Sequence, residues 1–79
     1  MTPEVCRACR SYLAMSQKSL ALAAHLSSQT VADFERGART PHPNNISALL
    51  AVFEGAGIKL RYEDGSIVSI ELPGEKQEI

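Results

Sequence analysis

The fold of this chain is decided by residues 16–37, which read SQKSLALAAHLSSQTVADFERG. Apolar residues recur at helical spacing over residues 17–24 and again over residues 27–36. A serine stands at the start of each run, where its side-chain oxygen can cap a helix N-terminus. Only His25 and Leu26 separate the two runs. The segment therefore predicts two short helices joined by a very tight turn.

The flanking sequence predicts one helix on each side of this segment. Residues 2–14 open with a threonine cap and a proline suited to the first helical position, so helix 1 is expected there. Residues 39–43 contain two prolines and are expected to form a loop. A fourth helix is expected from about Asn44 to Gly57. Its apolar residues fall at helical spacing: Ile46, Leu49, Leu50 and Phe53.

After the fourth helix, apolar and polar residues alternate, which predicts a β-hairpin over residues 58–72. Residues that lie opposite each other share a face of a hairpin. A two-residue loop at 64–65 would place apolar residues opposite polar ones, so that neither face would be wholly apolar. A three-residue loop at 63–65, which pairs Leu60 with Val68, is expected instead. The expected apolar face consists of Ile58, Leu60, Tyr62, Val68, Ile70 and Leu72.

Length and composition favour a binding module over an enzyme. A chain of 79 residues makes one domain and has no room for both a scaffold and a deep substrate pocket. No apolar run is long enough to span a membrane, and no signal peptide opens the chain. A soluble, cytoplasmic protein without enzymatic activity is therefore expected.

The cysteines and histidines are expected to have structural roles. Cys6 and Cys9 form a lone CxxC and share one face of a helix, where cysteine is usually a small core residue. His25 and His42 are far apart in sequence and lie in predicted loops, so they are not expected to form a metal pair. No catalytic residue, metal ion or cofactor is predicted.

The tight turn makes the two short helices a helix-turn-helix. Packing of their apolar residues leaves the outer face of the second helix polar. On that face Gln29 can form two hydrogen bonds with adenine, Ser28 can reach several bases, and Asp33 can accept from the cytosine amino group. An ordinary solvated helix face explains the same polar residues equally well, and spacing alone leaves both hypotheses open.

These residues resemble the Cro/phage-repressor family of helix-turn-helix regulators, also called the xenobiotic-response-element type. The resemblance covers about residues 3–56 and implies that helix 27–36 enters the major groove of DNA. The segments that carry it are Gln17–Ala21, Ala24–Val31, Phe34–Gly37 and Thr40-Pro41.

The resemblance also implies roles for individual residues. Base contacts are implied for Ser28, Gln29 and Asp33. Phosphate contacts are implied for Gln17 and for the loop after Gly37, which contains Arg39 and Thr40. Phosphate contacts are also predicted for Lys18 and Arg36. A buried ion pair between helices 1 and 3 is implied for Arg10 and Glu35.

Three features depart from the family pattern. His25 stands in the turn where the family usually has glycine. Ser19 stands where the family often has glutamate, so the capping box is expected to be missing. A hairpin stands where many members have a fifth helix, and this puts the family's mode of dimerisation in question.

The resemblance implies a prokaryotic or phage transcriptional regulator, most often a repressor, that binds a palindromic operator as a homodimer. The net charge of −1 is low for a DNA-binding protein, but residues 1–43 are mildly basic and residues 44–79 are acidic. Two alternatives stay open: an antitoxin that also binds a toxin partner, and a protein-interaction module that does not bind DNA. We expect a DNA-binding domain over residues 1–57, the hairpin over 58–72 and a flexible tail over 73–79.

Overall fold

The computed structural model describes residues 1–39 and 41–73. Four α-helices are followed by a two-stranded antiparallel sheet, which confirms the predicted fold class. The elements are α1 (Pro3–Tyr12), α2 (Gln17–Ala24), α3 (Ser28–Glu35), α4 (Pro43–Gly55), β1 (Lys59–Glu63) and β2 (Ser66–Glu71). The predictions made for Thr40 and for the tail from residue 74 onward lie outside the described residues.

Side chains cap the N-termini of the helices. Thr2 Oγ1 accepts a hydrogen bond from the Val5 amide at 3.2 Å, and Ser27 Oγ accepts one from the Thr30 amide at 3.1 Å. His42 Nδ1 caps α4 in the same way at 3.1 Å. Such caps satisfy amides that have no partner inside the helix. Each helix therefore begins within one residue of its predicted start.

The capping box of α2, which was expected to be missing, is present. Ser19 Oγ accepts from the Ser16 amide at 2.9 Å, and Ser16 Oγ accepts from the Ser19 amide at 3.0 Å. The prediction was wrong because it required a glutamate at this position. A serine hydroxyl also accepts hydrogen bonds, and here it lies close enough to the cap amide to do so.

Residues in the left-handed conformation end the first two helices. Ala14, with φ of 57°, follows the last turn of α1, which ends two residues earlier than predicted. His25 has φ of 59° and ψ of 41° in the turn after α2. The Leu26 amide bonds back to the Ala21 carbonyl at 2.8 Å and closes this turn. A residue with a Cβ therefore occupies a backbone conformation that glycine adopts at the least steric cost.

A single core joins the helices to the hairpin. Its largest fully buried side chains are Phe53, Leu20, Leu49, Ile58, Val31, Cys6 and Cys9. Both cysteines are free thiols in this core, as the sequence predicts. Ile58 precedes β1 directly and is 1% exposed, so the hairpin begins inside the core rather than as an appendage.

The hairpin turns through two residues, and the predicted three-residue loop was wrong. Glu63 and Ser66 pair across the turn. Asp64 and Gly65 between them have φ values of 53° and 81°, and a type I′ turn requires both values to be positive. Asp-Gly favours this turn because glycine adopts a positive φ freely and aspartate tolerates one.

A β-bulge keeps apolar residues together on one face of the hairpin, which the two-residue turn alone would not do. The register shifts in the middle of the hairpin, where Val68 is the extra residue on β2. Leu60 consequently lies opposite Ile70. Tyr62 and Val68 remain 43% and 47% exposed. The members of the predicted face that pack into or against the core are Ile58, Leu60, Ile70 and Leu72.

Replacing His25 with glycine is expected to raise the free energy of unfolding by up to about 1 kcal/mol, because a Cβ is disfavoured at this positive φ. The His25 side chain is exposed and makes no hydrogen bond among the described residues. Thermal unfolding followed by circular dichroism measures the change. His25→Ala is the control: it removes the imidazole but keeps the Cβ, so it should give no comparable gain. A clear loss of stability in His25→Gly would contradict the strain argument.

Candidate nucleic-acid interface

A buried carboxylate links the first three helices. Glu35, near the end of α3, is 3% exposed, and its two oxygens accept hydrogen bonds from three other side chains. Arg10 of α1 donates from Nε to Oε2 and from a terminal nitrogen to Oε1, both at 2.9 Å. Gln17 of α2 donates to Oε1 at 3.0 Å, and the Cys6 thiol donates to Oε2 at 3.3 Å. The ion pair that the family resemblance implies is therefore present and bidentate.

The charge of Glu35 is maintained by these donors. Burial acts to raise the pKa of Glu35, but hydrogen bonds from Arg10, Gln17 and Cys6 outweigh burial and hold the pKa below its ordinary value. Burial and the bond to Glu35 raise the pKa of Cys6 to about 12, so this thiol stays protonated and acts as a donor. Its environment is therefore that of a structural cysteine and not of a reactive one.

A further contact ties α1 to the end of α3. The Arg7 guanidinium donates a hydrogen bond to the backbone carbonyl of Glu35. Carbonyl groups at the C-terminus of a helix lack partners within the helix, so this contact satisfies one of them. Sequence reasoning missed Arg7, since nothing in its local sequence marks a partner that lies 28 residues away.

These contacts divide α3 into a fixed inner face and an open outer face. Val31, Phe34 and Glu35 are buried and hold the helix against the core. The side chains of Ser28 and Gln29 are exposed at its N-terminal end. The result is a helix held by side chains of α1 and α2, with polar groups presented outward.

The outer face of α3 carries a second cluster around Asp33. Gln29 Nε2 donates to Asp33 Oδ1 at 2.8 Å, and Arg36 donates to the same oxygen at 2.8 Å. Arg39 Nε lies 4.0 Å from Oδ2. The hydrogen bond from Gln29, together with the bond and charge of Arg36 and the charge of Arg39, lowers the pKa of Asp33. The carboxylate is therefore ionised at neutral pH.

The residues predicted to contact phosphate differ in how freely their side chains project. Arg36 and Arg39 have side chains that are 66% and 77% exposed, and Lys18 is exposed at the start of α2. The Gln17 side chain is half-buried, since its amide is bound to Glu35. A phosphate contact by this side chain would have to share or replace that bond. The bond from Gln17 to Glu35 was not predicted, because the spacing of residues along α2 gives no information about contacts with α3.

An open groove lies beside the outer face of α3, between this helix and the start of α4. Its volume is about 460 Å³. Asp33 and Arg39 both line it, so predicted base-contacting and phosphate-contacting residues meet there. Its polar lining includes Ser27, Gln29, Thr30, Asp33, Arg39, His42 and Asn45.

A Helix-turn-helix family model matches residues 12–55. The chain belongs to this helix-turn-helix family. The match covers α2, α3 and α4, and the family comprises DNA-binding regulators of the Cro/C1, or xenobiotic-response-element, type. A search of curated proteins gave no match.

Two further observations concern the described residues of this helix-turn-helix protein. None of the helices is both long and apolar enough to cross a membrane. Within residues 1–39 and 41–73, no group of three or more histidine, cysteine, aspartate or glutamate side chains is arranged to hold a metal ion.

Glu35→Gln is expected to lower the free energy of unfolding at pH 7 by about 3 kcal/mol, because it leaves the charge of Arg10 without its counter-charge. Since the pKa of Glu35 is lowered by folding, the stabilisation is complete at pH values above the ordinary glutamate pKa and is lost as the pH falls through the folded-state value. The difference between wild type and variant should therefore shrink in acid.

Urea unfolding at pH 7 and at acid pH checks this expectation. Glu4→Gln is the matched control, since Glu4 is an exposed acid in the first turn of α1. This control should change stability by less than about 0.5 kcal/mol. Equal stability of wild type and Glu35→Gln at pH 7 would show that the buried pair does not hold the helices together.

Proposed function

We propose that this protein is a sequence-specific transcriptional regulator that reads the major groove of DNA with the helix over residues 27–36. The observation that carries the proposal is the division of α3: the buried Glu35 cluster fixes its inner face, and its outer face is polar and open. A rigid helix with hydrogen-bonding groups on one face fits the major groove, where every base pair shows a distinct pattern of donors and acceptors.

Base contacts are proposed for Ser28 and Gln29, and Asp33 is proposed to belong to the same base-reading face. Ser28 and Gln29 are the first two residues of α3 and are exposed, which is the position from which a recognition helix touches base edges. The Gln29 amide has both a donor and an acceptor, and adenine offers the complementary pair in the major groove. Asp33 lies one turn further along the same face.

Phosphate contacts are proposed for four residues around this face: Gln17, Lys18, Arg36 and Arg39. From the family resemblance alone, a phosphate contact is also proposed for Thr40. Lys18 lies at the N-terminus of α2, together with the N–H groups of the first turn, and a helix N-terminus favours anions. Arg36 and Arg39 supply exposed positive charge at the other end of α3. Residues 1–43 are mildly basic, and most acidic residues lie in residues 44–79. A polyanion is therefore expected to approach the surface formed by residues 1–43.

The proposed regulator acts as a homodimer on a palindromic operator and represses transcription by occluding polymerase. Two copies of a helix-turn-helix matched to two half-sites give the symmetry that such an operator requires. The hairpin offers a contact surface, since Tyr62 and Val68 are apolar and half-exposed near its turn. An antitoxin would use the same DNA-binding helix but would bind a toxin partner as well.

The central test separates base reading from phosphate binding. Random-site selection with the purified protein first supplies an operator. On that operator, Gln29→Ala is expected to cost about 1–3 kcal/mol and to remove preference at one base pair only. Arg39→Ala is expected to weaken binding to all sequences alike. It should also reduce the slope of log affinity against log salt concentration by about one unit, which corresponds to one lost phosphate contact.

Titrations with the operator and with scrambled DNA, at several salt concentrations, distinguish these outcomes. If Gln29→Ala weakens binding to the operator and to scrambled DNA equally, Gln29 does not contact a base specifically. If the wild-type protein binds no duplex, the proposed function is wrong, and the alternative of a protein-interaction module without DNA binding is favoured.

The homodimer proposal predicts that the double variant Tyr62→Ser, Val68→Ser is a monomer in sedimentation equilibrium, while the wild type is a dimer. Truncation after Gly57 is a poor test because it removes Ile58, which lies in the core. Leu22→Ser is the matched control: Leu22 is 70% exposed, but it lies on α2 and not on the hairpin. A double variant that dimerises as well as the wild type would exclude the hairpin from the interface.

A further inference from the structure

We propose that Asp33 is a specificity-determining residue: it fixes the orientation of the Gln29 amide and thereby makes α3 prefer adenine to guanine. The inference rests on the proposed function, because it assigns a role within the base-reading face of α3. It gives Asp33 a role in positioning Gln29, in place of direct contact with a cytosine.

The geometry of the Asp33 carboxylate allows one orientation of the Gln29 amide. An ionised carboxylate only accepts hydrogen bonds, so it attracts Nε2 of a glutamine and repels Oε1. Gln29 Nε2 lies 2.8 Å from Asp33 Oδ1, and the two residues are four positions apart on α3. Because the helix fixes this spacing, the amide cannot turn over without losing the bond and bringing two acceptors together.

Two arginines keep the carboxylate in its place. Arg36 donates to Asp33 Oδ1 at 2.8 Å, and Arg39 Nε stands 4.0 Å from Oδ2. The Asp33 side chain is only 15% exposed, in contrast to the exposed Gln29. Asp33 is therefore the less accessible member of the pair, and Oδ1 already accepts two hydrogen bonds. Both facts favour positioning of Gln29 over direct contact with a base.

The orientation of the amide decides which base it matches. With one N–H of Nε2 held by Asp33, Gln29 presents its Oε1 acceptor and one remaining N–H donor. Adenine shows a donor, N6, and an acceptor, N7, in the major groove and matches this pair. Guanine shows two acceptors, N7 and O6, and would need both N–H groups of the amide. Asp33 therefore selects against guanine by occupying one of the two donors.

The test compares base preference in wild type and Asp33→Asn. Asparagine carries both an acceptor and a donor, so it can bond to the Gln29 amide in either orientation. Random-site selection with wild type and with Gln29→Ala identifies the adenine position that depends on Gln29. Operators with adenine or guanine at that position are then titrated. Asp33→Asn is expected to reduce the adenine-to-guanine affinity ratio by roughly tenfold.

Glu4→Gln is the control for charge. It removes the same negative charge from an exposed site on α1, so a general rise in DNA affinity should appear in both variants, but only Asp33→Asn should change the base preference. Asp33→Asn with an unchanged adenine-to-guanine ratio would overturn the inference. A preference lost at a different base pair, with the adenine position unaffected, would also overturn it, since Asp33 would then read that pair directly.

A measurement without DNA tests the hydrogen bond by itself. In nuclear magnetic resonance spectra of the full chain, the side-chain amide signals of Gln29 should shift as Asp33 is titrated, and this shift should be absent in Asp33→Asn. Signals that do not follow the titration overturn the orientation argument. If they do follow it and the wild type nevertheless selects no sequence, the proposed function fails and the specificity role of Asp33 fails with it, while the hydrogen bond stands.

Discussion

The buried charge of Glu35 is the constraint on which the rest of the structure depends. A carboxylate removed from water costs several kcal/mol unless hydrogen bonds and an opposite charge compensate it. Here the compensation comes from Arg10 and Cys6 on α1 and from Gln17 on α2. Because these donors belong to different helices, satisfying one carboxylate requires α1, α2 and α3 to meet in a single arrangement.

This requirement explains how a short helix can present a recognition surface. An isolated helix of 8 residues would not be stable in water, and α3 owes its order to tertiary contacts. Its inner side is occupied by the core and by the Glu35 cluster, so only the outer side is available to a ligand. On that outer side the Asp33 cluster adds local order, since it links Gln29 and Arg36 before any DNA is bound.

The hairpin shows how a local preference and a global requirement are reconciled. Asp64-Gly65 favours a two-residue turn, and that turn alone would place apolar and polar residues on the same face. The bulge at Val68 absorbs one residue, so that Leu60 and Ile70 pair and pack on the helices. The exposed Tyr62 and Val68 are the consequence, and they are the apolar surface that the dimer proposal uses.

The sequence by itself determined the helix starts and the serine and threonine caps of the first three helices, because these depend on residues within one turn of each other. The four helix starts, the tight turn at His25, the buried cysteines and the outward position of Gln29 were all predicted in this way. Tertiary structure alone decided the bulge and the binding of Gln17 to Glu35, since both depend on partners brought close by packing. Cap positions can be inferred from local spacing, but competition between distant partners for one buried group is resolved only when the chain has folded.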